Sequence, residues 1–139
     1  MKPSNLLTFI LFGLAIIHFY WSIGGKLGLS ESLPTNELGE KILNPKKIHT
    51  AIVGIGLLLF GIFYMIKSGI IEYYLPEWLM NLVSWIIPII FLLRAIGNFK
   101  YVGFFKKVRK TDFGKMDTIF FSPLCLAIAI LGIINQLMN

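Results

Sequence analysis

The sequence predicts an all-α membrane protein: one antiparallel bundle of four transmembrane helices with both termini on the non-cytoplasmic side. Three observations predict it. Hydrophobic residues make up 56% of the 139 and charged residues only 14%, with a mean hydropathy of +0.76. A soluble domain of this size needs a far more charged surface. The apolar residues gather in four blocks, each near the roughly 20 residues that cross a hydrocarbon core of about 30 Å. The basic residues fall almost entirely on alternate connections. The length gives a single domain, with spans near 6–23, 48–66, 79–97 and 118–137 and basic loops at 24–47 and 98–117.

The first span begins after one lysine, like a signal peptide, but no small-x-small cleavage site follows. His18, Phe19, Tyr20 and Trp21 follow instead, an aromatic cluster suited to a membrane interface. Helical spacing sets His18, Trp21, Ser22 and Gly25 on one face. The next connection is rich in breakers: Gly24-Gly25, Gly28, Pro34 and Asn44-Pro45. Between its prolines, TNELGEKIL predicts a short surface helix capped by Thr35, with Leu38, Ile42 and Leu43 toward the membrane.

The second span opens with His49 after Lys46-Lys47 and contains Gly54, Gly56 and Gly61, which permit close helix approach in lipid. Tyr73, Tyr74 and Trp78 mark the interface before the third span, where Pro88 predicts a kink. Arg94 closes that span, and helical spacing places Asn98 and Tyr101 on its face one and two turns on. Ser122-Pro123 in the fourth span predicts either a kink or a shorter helix capped by Ser122.

Orientation follows from the charges. The first and third connections carry Lys26, Lys41, Lys46, Lys47, Lys100, Lys106, Lys107, Arg109, Lys110 and Lys115, whereas the opposite side has only Lys2 and Lys67. The basic loops are therefore expected on the cytoplasmic side of the plasma membrane. This bias accounts for the net charge of +6 without nucleic acid. The single Cys125 cannot form an internal disulfide or a CxxC redox pair.

That topology collects His18, Trp21, His49, Arg94, Asn98 and Asp117 at the cytoplasmic end. An arginine at membrane depth keeps its charge, so it must snorkel, pair with Asp117 or hold an anion. His18 is either a polar residue packed on Trp21 or an acid, base or ligand, since imidazoles exchange protons near neutral pH. His49 reads first as interfacial decoration. A haem or metal on the two histidines would lack a second ligand pair, so no metal site is assigned and the cofactor stays open. Lys106, Lys107, Arg109 and Lys110, in FFKKVRK, read as topology signal and a contact for anionic lipid headgroups.

HFYWSIGG at the end of the first span, RAIGNFKYVGFFKKVRK after the third and DTIFFSPLCL in the fourth resemble a bacterial family of small four-span membrane proteins catalogued as a domain of unknown function. The resemblance covers nearly the whole chain and implies a four-helix integral membrane protein, without an activity. Its expected elements correspond to His18–Gly25, Arg94–Gly97 and Ser122–Cys125. Two positions depart from the pattern. Asn98 stands where an acidic residue is expected and Phe121 where a tyrosine is expected, so chemistry resting on either group would be lost here.

The leading expectation is a protein that binds or acts on a small or amphiphilic anion. Arg94 would hold the anion, His18 would move a proton or donate a hydrogen bond, Trp21 and Tyr101 would wall the pocket with His49 as a further ligand contact, and Asn98 and Asp117 would orient these groups. The alternatives are a ligand-free interaction or scaffold subunit, in which Arg94 clamps Asp117, and a small transporter protomer that needs a homo-oligomer to form a pore.

Overall fold

The structure, a computed structural model, describes residues 2–42 and 45–138. Helix α1 spans Pro3–Ser22, α2 Lys47–Ser68 and α3 Glu77–Ile96. The short α4, Asp112–Met116, runs through a π-helical turn, Asp117–Phe121, into α5, Ser122–Leu137. Four helical stretches (α1, α2, α3 and 112–137) are long and apolar enough to cross a membrane. No strand occurs among the described residues.

Each helix stops for a local reason. Pro3 opens α1, where a missing N–H costs nothing. Gly24, at φ +104°, turns the chain at the other end of that helix, where the N–H of Gly25 bonds to the Tyr20 carbonyl. Gly69, in the left-handed region, closes α2 in the same manner. The hydroxyl of Thr111 accepts from the Gly114 N–H and caps α4, so helix begins at Asp112 rather than near Thr118.

The choice left open at Ser122-Pro123 is resolved by the π turn. A proline in a helix interior clashes with the carbonyl four residues earlier, here that of Ile119. That carbonyl lies in the wider π-helical turn, and Pro123 becomes an early residue of α5 with Ser122 inside the helix. Widening replaces capping.

Two helix pairs carry most of the packing, α1 on α2 and α3 on α5, with α1 also touching α5. Leu7, Leu11 and Ala15 form a stripe with a four-residue spacing on α1. It meets Leu57 and Tyr64 of α2, Ile87 and Phe91 of α3, and Ile128 and Ala129 of α5 in one core. Phe12 lies over Gly61 and Phe19 over Gly54, so two of the three glycines in α2 seat aromatic rings of α1. Gly56 faces open space. A Cβ at Gly61 would overlap the Phe12 ring, and one at Gly54 would come within 2.9 Å of Phe19. Gly61→Ala is therefore expected to cost about 1–3 kcal/mol through overpacking. Thermal unfolding in detergent measures this, and an unchanged melting temperature would mean that Phe12 swings aside freely.

The outer faces of all four long helices are apolar. Phe9, Ile16, Ile52, Leu59, Leu93, Ile119 and Ile130 are all exposed. A soluble monomer rarely leaves so much apolar surface uncovered, whereas lipid requires it.

The connections differ from expectation in two places. No helix forms over the described residues 35–42 of TNELGEKIL. Thr35 instead bridges to Lys41, the side-chain oxygen of Asn36 accepts from the N–H groups of Leu38 and Glu40, and Gly39 turns at φ +80°. An asparagine that bonds its own following backbone competes with helix formation, and a left-handed glycine ends the contest. Leu38 and Ile42 are exposed, and Leu43, expected on the same face, lies outside the described residues. Nor does α3 extend to Asn98 and Tyr101. Gly97, at φ +84°, turns the chain away, so neither residue lies on a helical face with Arg94. The two long connections meet across an open groove of about 390 Å³ lined by Glu31, Lys41, Lys110 and Asp112 among others.

Candidate functional site

The residues picked out from sequence separate into two groups. His18, Trp21 and His49 line a pocket of about 180 Å³ with Leu29, Ser32, Leu33, Pro45, Thr50 and Val53. Arg94, Asp117 and Asn98 sit at the second basic loop, and no described hydrogen bond or ion pair joins the groups. Tyr101 does not line the pocket; the Lys100 ammonium lies 5.1 Å from its ring centroid. The single cluster drawn from the sequence is thus two clusters.

In the pocket, His18 Nδ1 lies 2.7 Å from the Leu14 carbonyl oxygen. A carbonyl only accepts, so this nitrogen carries a proton and the neutral ring offers Nε2 as an acceptor. His49 has the opposite arrangement. Its Nδ1 accepts from the Lys46 N–H at 3.2 Å, so the proton of the neutral ring is on Nε2. The Trp21 indole donates to the Leu27 carbonyl at 2.9 Å, tying the glycine-rich turn to the end of α1. His18 and Trp21 meet edge to face at 5.2 Å between centroids. The Lys47 ammonium reaches back to Gly24, bringing a cation to the end of α1. The result is an apolar recess with one imidazole acceptor, one imidazole donor and two hydroxyls on its walls.

The second group is built on a buried carboxylate. Asp117 is fully buried and takes a hydrogen bond from Arg94 Nη2 at 2.8 Å on one oxygen. Its other oxygen accepts from the Gly103 N–H at 2.8 Å and lies 3.1 Å from the Lys106 ammonium. Lys106 is only 2% exposed, and also donates to the Gly103 carbonyl and the Thr118 hydroxyl. All three ammonium hydrogens therefore have acceptors. This corrects the expectation that Lys106 meets lipid headgroups, because its charge is turned inward onto Asp117. Arg109 donates to the Phe104 carbonyl while staying exposed, and Lys107 and Lys110 are exposed.

Asn98 has a backbone role. Its side-chain oxygen accepts from the N–H groups of Lys100, Tyr101 and Val102 at 3.1, 2.9 and 3.1 Å. A carboxylate could accept the same three bonds, so an acid-to-amide exchange leaves this task intact. Phe121, the other departure, packs on Phe113 and Phe120 at 5.9 and 5.7 Å between centroids.

Sequence reasoning missed a polar cluster centred on Lys67. Its ammonium donates to the Ser84 hydroxyl at 2.7 Å and to the Gln136 side-chain oxygen at 2.6 Å. The Gln136 amide in turn donates to Asn81. The signal was present but scattered, since a span-ending lysine reads as an interfacial anchor until the fold places it beside Ser84.

The family described as Protein of unknown function (DUF3995) matches residues 11–132. The chain belongs to the DUF3995 family. The matched stretch takes in His18, Trp21, His49, Arg94, Lys106 and Asp117, so both clusters lie within the DUF3995 domain. No match was found among curated proteins or among solved structures.

Proposed function

We propose that this DUF3995 protein is a multi-pass plasma-membrane protein that binds a small amphiphilic anion in the pocket between the end of α1 and the start of α2. Its four spans form an antiparallel bundle, with both termini outside and both basic loops at the cytoplasmic face. The charge bias between connections supports that orientation. The meeting of the two long connections across one groove supports their lying at the same end.

The pocket itself carries the functional reading, because it brings His18 and Trp21 of α1 and His49 of α2 together beneath a loop that adds Leu29, Ser32 and Leu33. An apolar recess with a few convergent polar groups is the usual form of a small-ligand site. The two imidazoles offer opposite hydrogen-bonding edges, which suit a head group with an adjacent donor and acceptor. Lys46 and Lys47 flank His49 and favour an anion. In this reading Arg94, whose Nη2 is held by Asp117 away from the pocket, is a clamp between α3 and the start of the last helix rather than the holder of the anion.

Native mass spectrometry of the protein from gentle detergent tests this reading. Wild type is expected to retain a small molecule that His18→Ala and Trp21→Phe release, while the melting temperature stays near that of wild type. Equal retention in all three proteins would place the ligand elsewhere; no retained species in any of them would leave the pocket without an occupant and overturn the proposal.

One observation favours the interaction-subunit reading: the direct Arg94–Asp117 pair. A partner chain that copurifies in fixed ratio from wild type and His18→Ala alike would support it. For a transporter, the buried Ile87, Phe91 and Ile128 lie along the bundle between the Lys67 and Asp117 clusters. A polar path would therefore have to form between copies in a homo-oligomer.

A further inference from the structure

Phe99 has φ +67°, the one positive value outside glycine among the described residues. An L-side chain in this region is strained, and asparagine or glycine is the ordinary occupant. Here a phenylalanine takes the strained position with its side chain outward. Phe99 is 59% exposed and Phe105 61% exposed, and their rings lie 6.4 Å apart between centroids. Two exposed lysines belong to the same loop. Lys100 follows Phe99, Lys107 lies two residues after Phe105, and the Lys107 N–H bonds to the Lys100 carbonyl at 2.9 Å, so the backbones of the two lysines meet, with the Lys100 ammonium over the Tyr101 ring. Neither forms an ion pair with an acidic residue among the described residues.

The loop that presents this patch is held from inside. Asn98 gathers three backbone N–H groups, Asp117 holds Gly103, and Lys106 is turned inward. The Phe104 N–H bonds to the Ala95 carbonyl at 2.8 Å, tying the loop to the last turn of α3. The patch is thus fixed next to the end of an apolar helix long enough to span a membrane. At that depth acyl chains give way to headgroups, where aromatic rings and basic side chains are both stable.

We infer that the tip of the second basic loop is a contact for anionic phospholipid, with the Phe99 and Phe105 rings at the acyl boundary and the Lys100 and Lys107 ammonium groups on lipid phosphates. Lipid explains both features: exposed rings find an apolar medium, and two cations without an acidic partner among the described residues find an anion. The inference rests on the four-span reading and is independent of the His18 pocket.

The test uses nanodiscs of phosphatidylcholine with and without phosphatidylglycerol, with retained lipid identified by native mass spectrometry. Wild type is expected to retain phosphatidylglycerol in preference to phosphatidylcholine. Neutralising a surface cation weakens anionic-lipid contact by about fivefold, so Lys100→Gln with Lys107→Gln is expected to cut that preference by about 25-fold. Phe99→Gly separates a structural role from a lipid role, because glycine relieves the left-handed strain. Its melting temperature is expected to equal or exceed that of wild type, while the retained phosphatidylglycerol falls severalfold. An unchanged lipid preference in both variants overturns the inference, as does a destabilised Phe99→Gly with unchanged lipid. Failure of wild type to enter either kind of nanodisc would instead sink the four-span reading, and this contact with it.

Discussion

Asp117→Ala is expected to lower the stability of the protein by about 3–5 kcal/mol, the cost of breaking a buried ion pair from one side. The carboxylate serves three groups at once: Arg94, Lys106 and the Gly103 N–H. Removing it leaves an ammonium with no accessible surface facing no counter-charge. It also strands a backbone donor in a buried place, which adds its own desolvation penalty. Arg94 is about one-third exposed at its side chain and recovers part of its solvation, so most of the loss comes from Lys106 and Gly103. Asp117→Asn keeps an acceptor for Gly103 and is expected to fall between wild type and Asp117→Ala. Lys106→Met should cost less than Asp117→Ala, because Asp117 retains Arg94 and Gly103. Thermal unfolding of wild type, these three variants and Lys107→Gln in one detergent gives the ranking. A Lys106→Met variant no more affected than Lys107→Gln would show that Lys106 is not inside.

The contrast between Lys106 and Lys107 also shows how far the sequence could be read. The number and rough position of four helices long and apolar enough to cross a membrane were legible, because hydrophobic length is a one-dimensional property read directly from the chain. The Arg94–Asp117 pair was legible as an alternative, since an arginine at membrane depth has few possible fates. Which lysine in FFKKVRK turns inward was not. That depends on the path of residues 97–104, set by two left-handed glycines and by Asn98 bonding three amides. The same turn undid the placement of Asn98 and Tyr101 by helical spacing, a rule that holds only while the helix continues. His18 and His49 were expected at one end and line one pocket, yet their union with Leu29, Ser32 and Pro45 depends on the fold of a breaker-rich loop. Periodicity carries no information about such a path.

Gly97→Ala and Gly103→Ala are expected to open the second basic loop, each at a cost of about 2–5 kcal/mol from left-handed strain together with overpacking. Both glycines have left-handed backbone, at φ +84° and +90°. A Cβ on Gly97 would overlap the Val102 carbonyl, and one on Gly103 would overlap the Ile96 carbonyl. The obstacles are backbone atoms, so no rotamer change relieves them. Each strand of the loop therefore closes on the other only where a side chain is missing. Gly56→Ala is the control. Its Cβ meets nothing within 4 Å, and a helix-interior glycine changed to alanine is expected to gain up to about 1 kcal/mol. Limited trypsin digestion reads the loop directly, because Lys100, Lys106 and Lys107 become cleavable when it opens. Rapid cleavage there in both loop variants, with Gly56→Ala as resistant as wild type, is the expected pattern. Equal resistance in all four proteins would mean that the 97–104 turn tolerates a side chain, and that Asp117 and Asn98 alone hold the loop against α3.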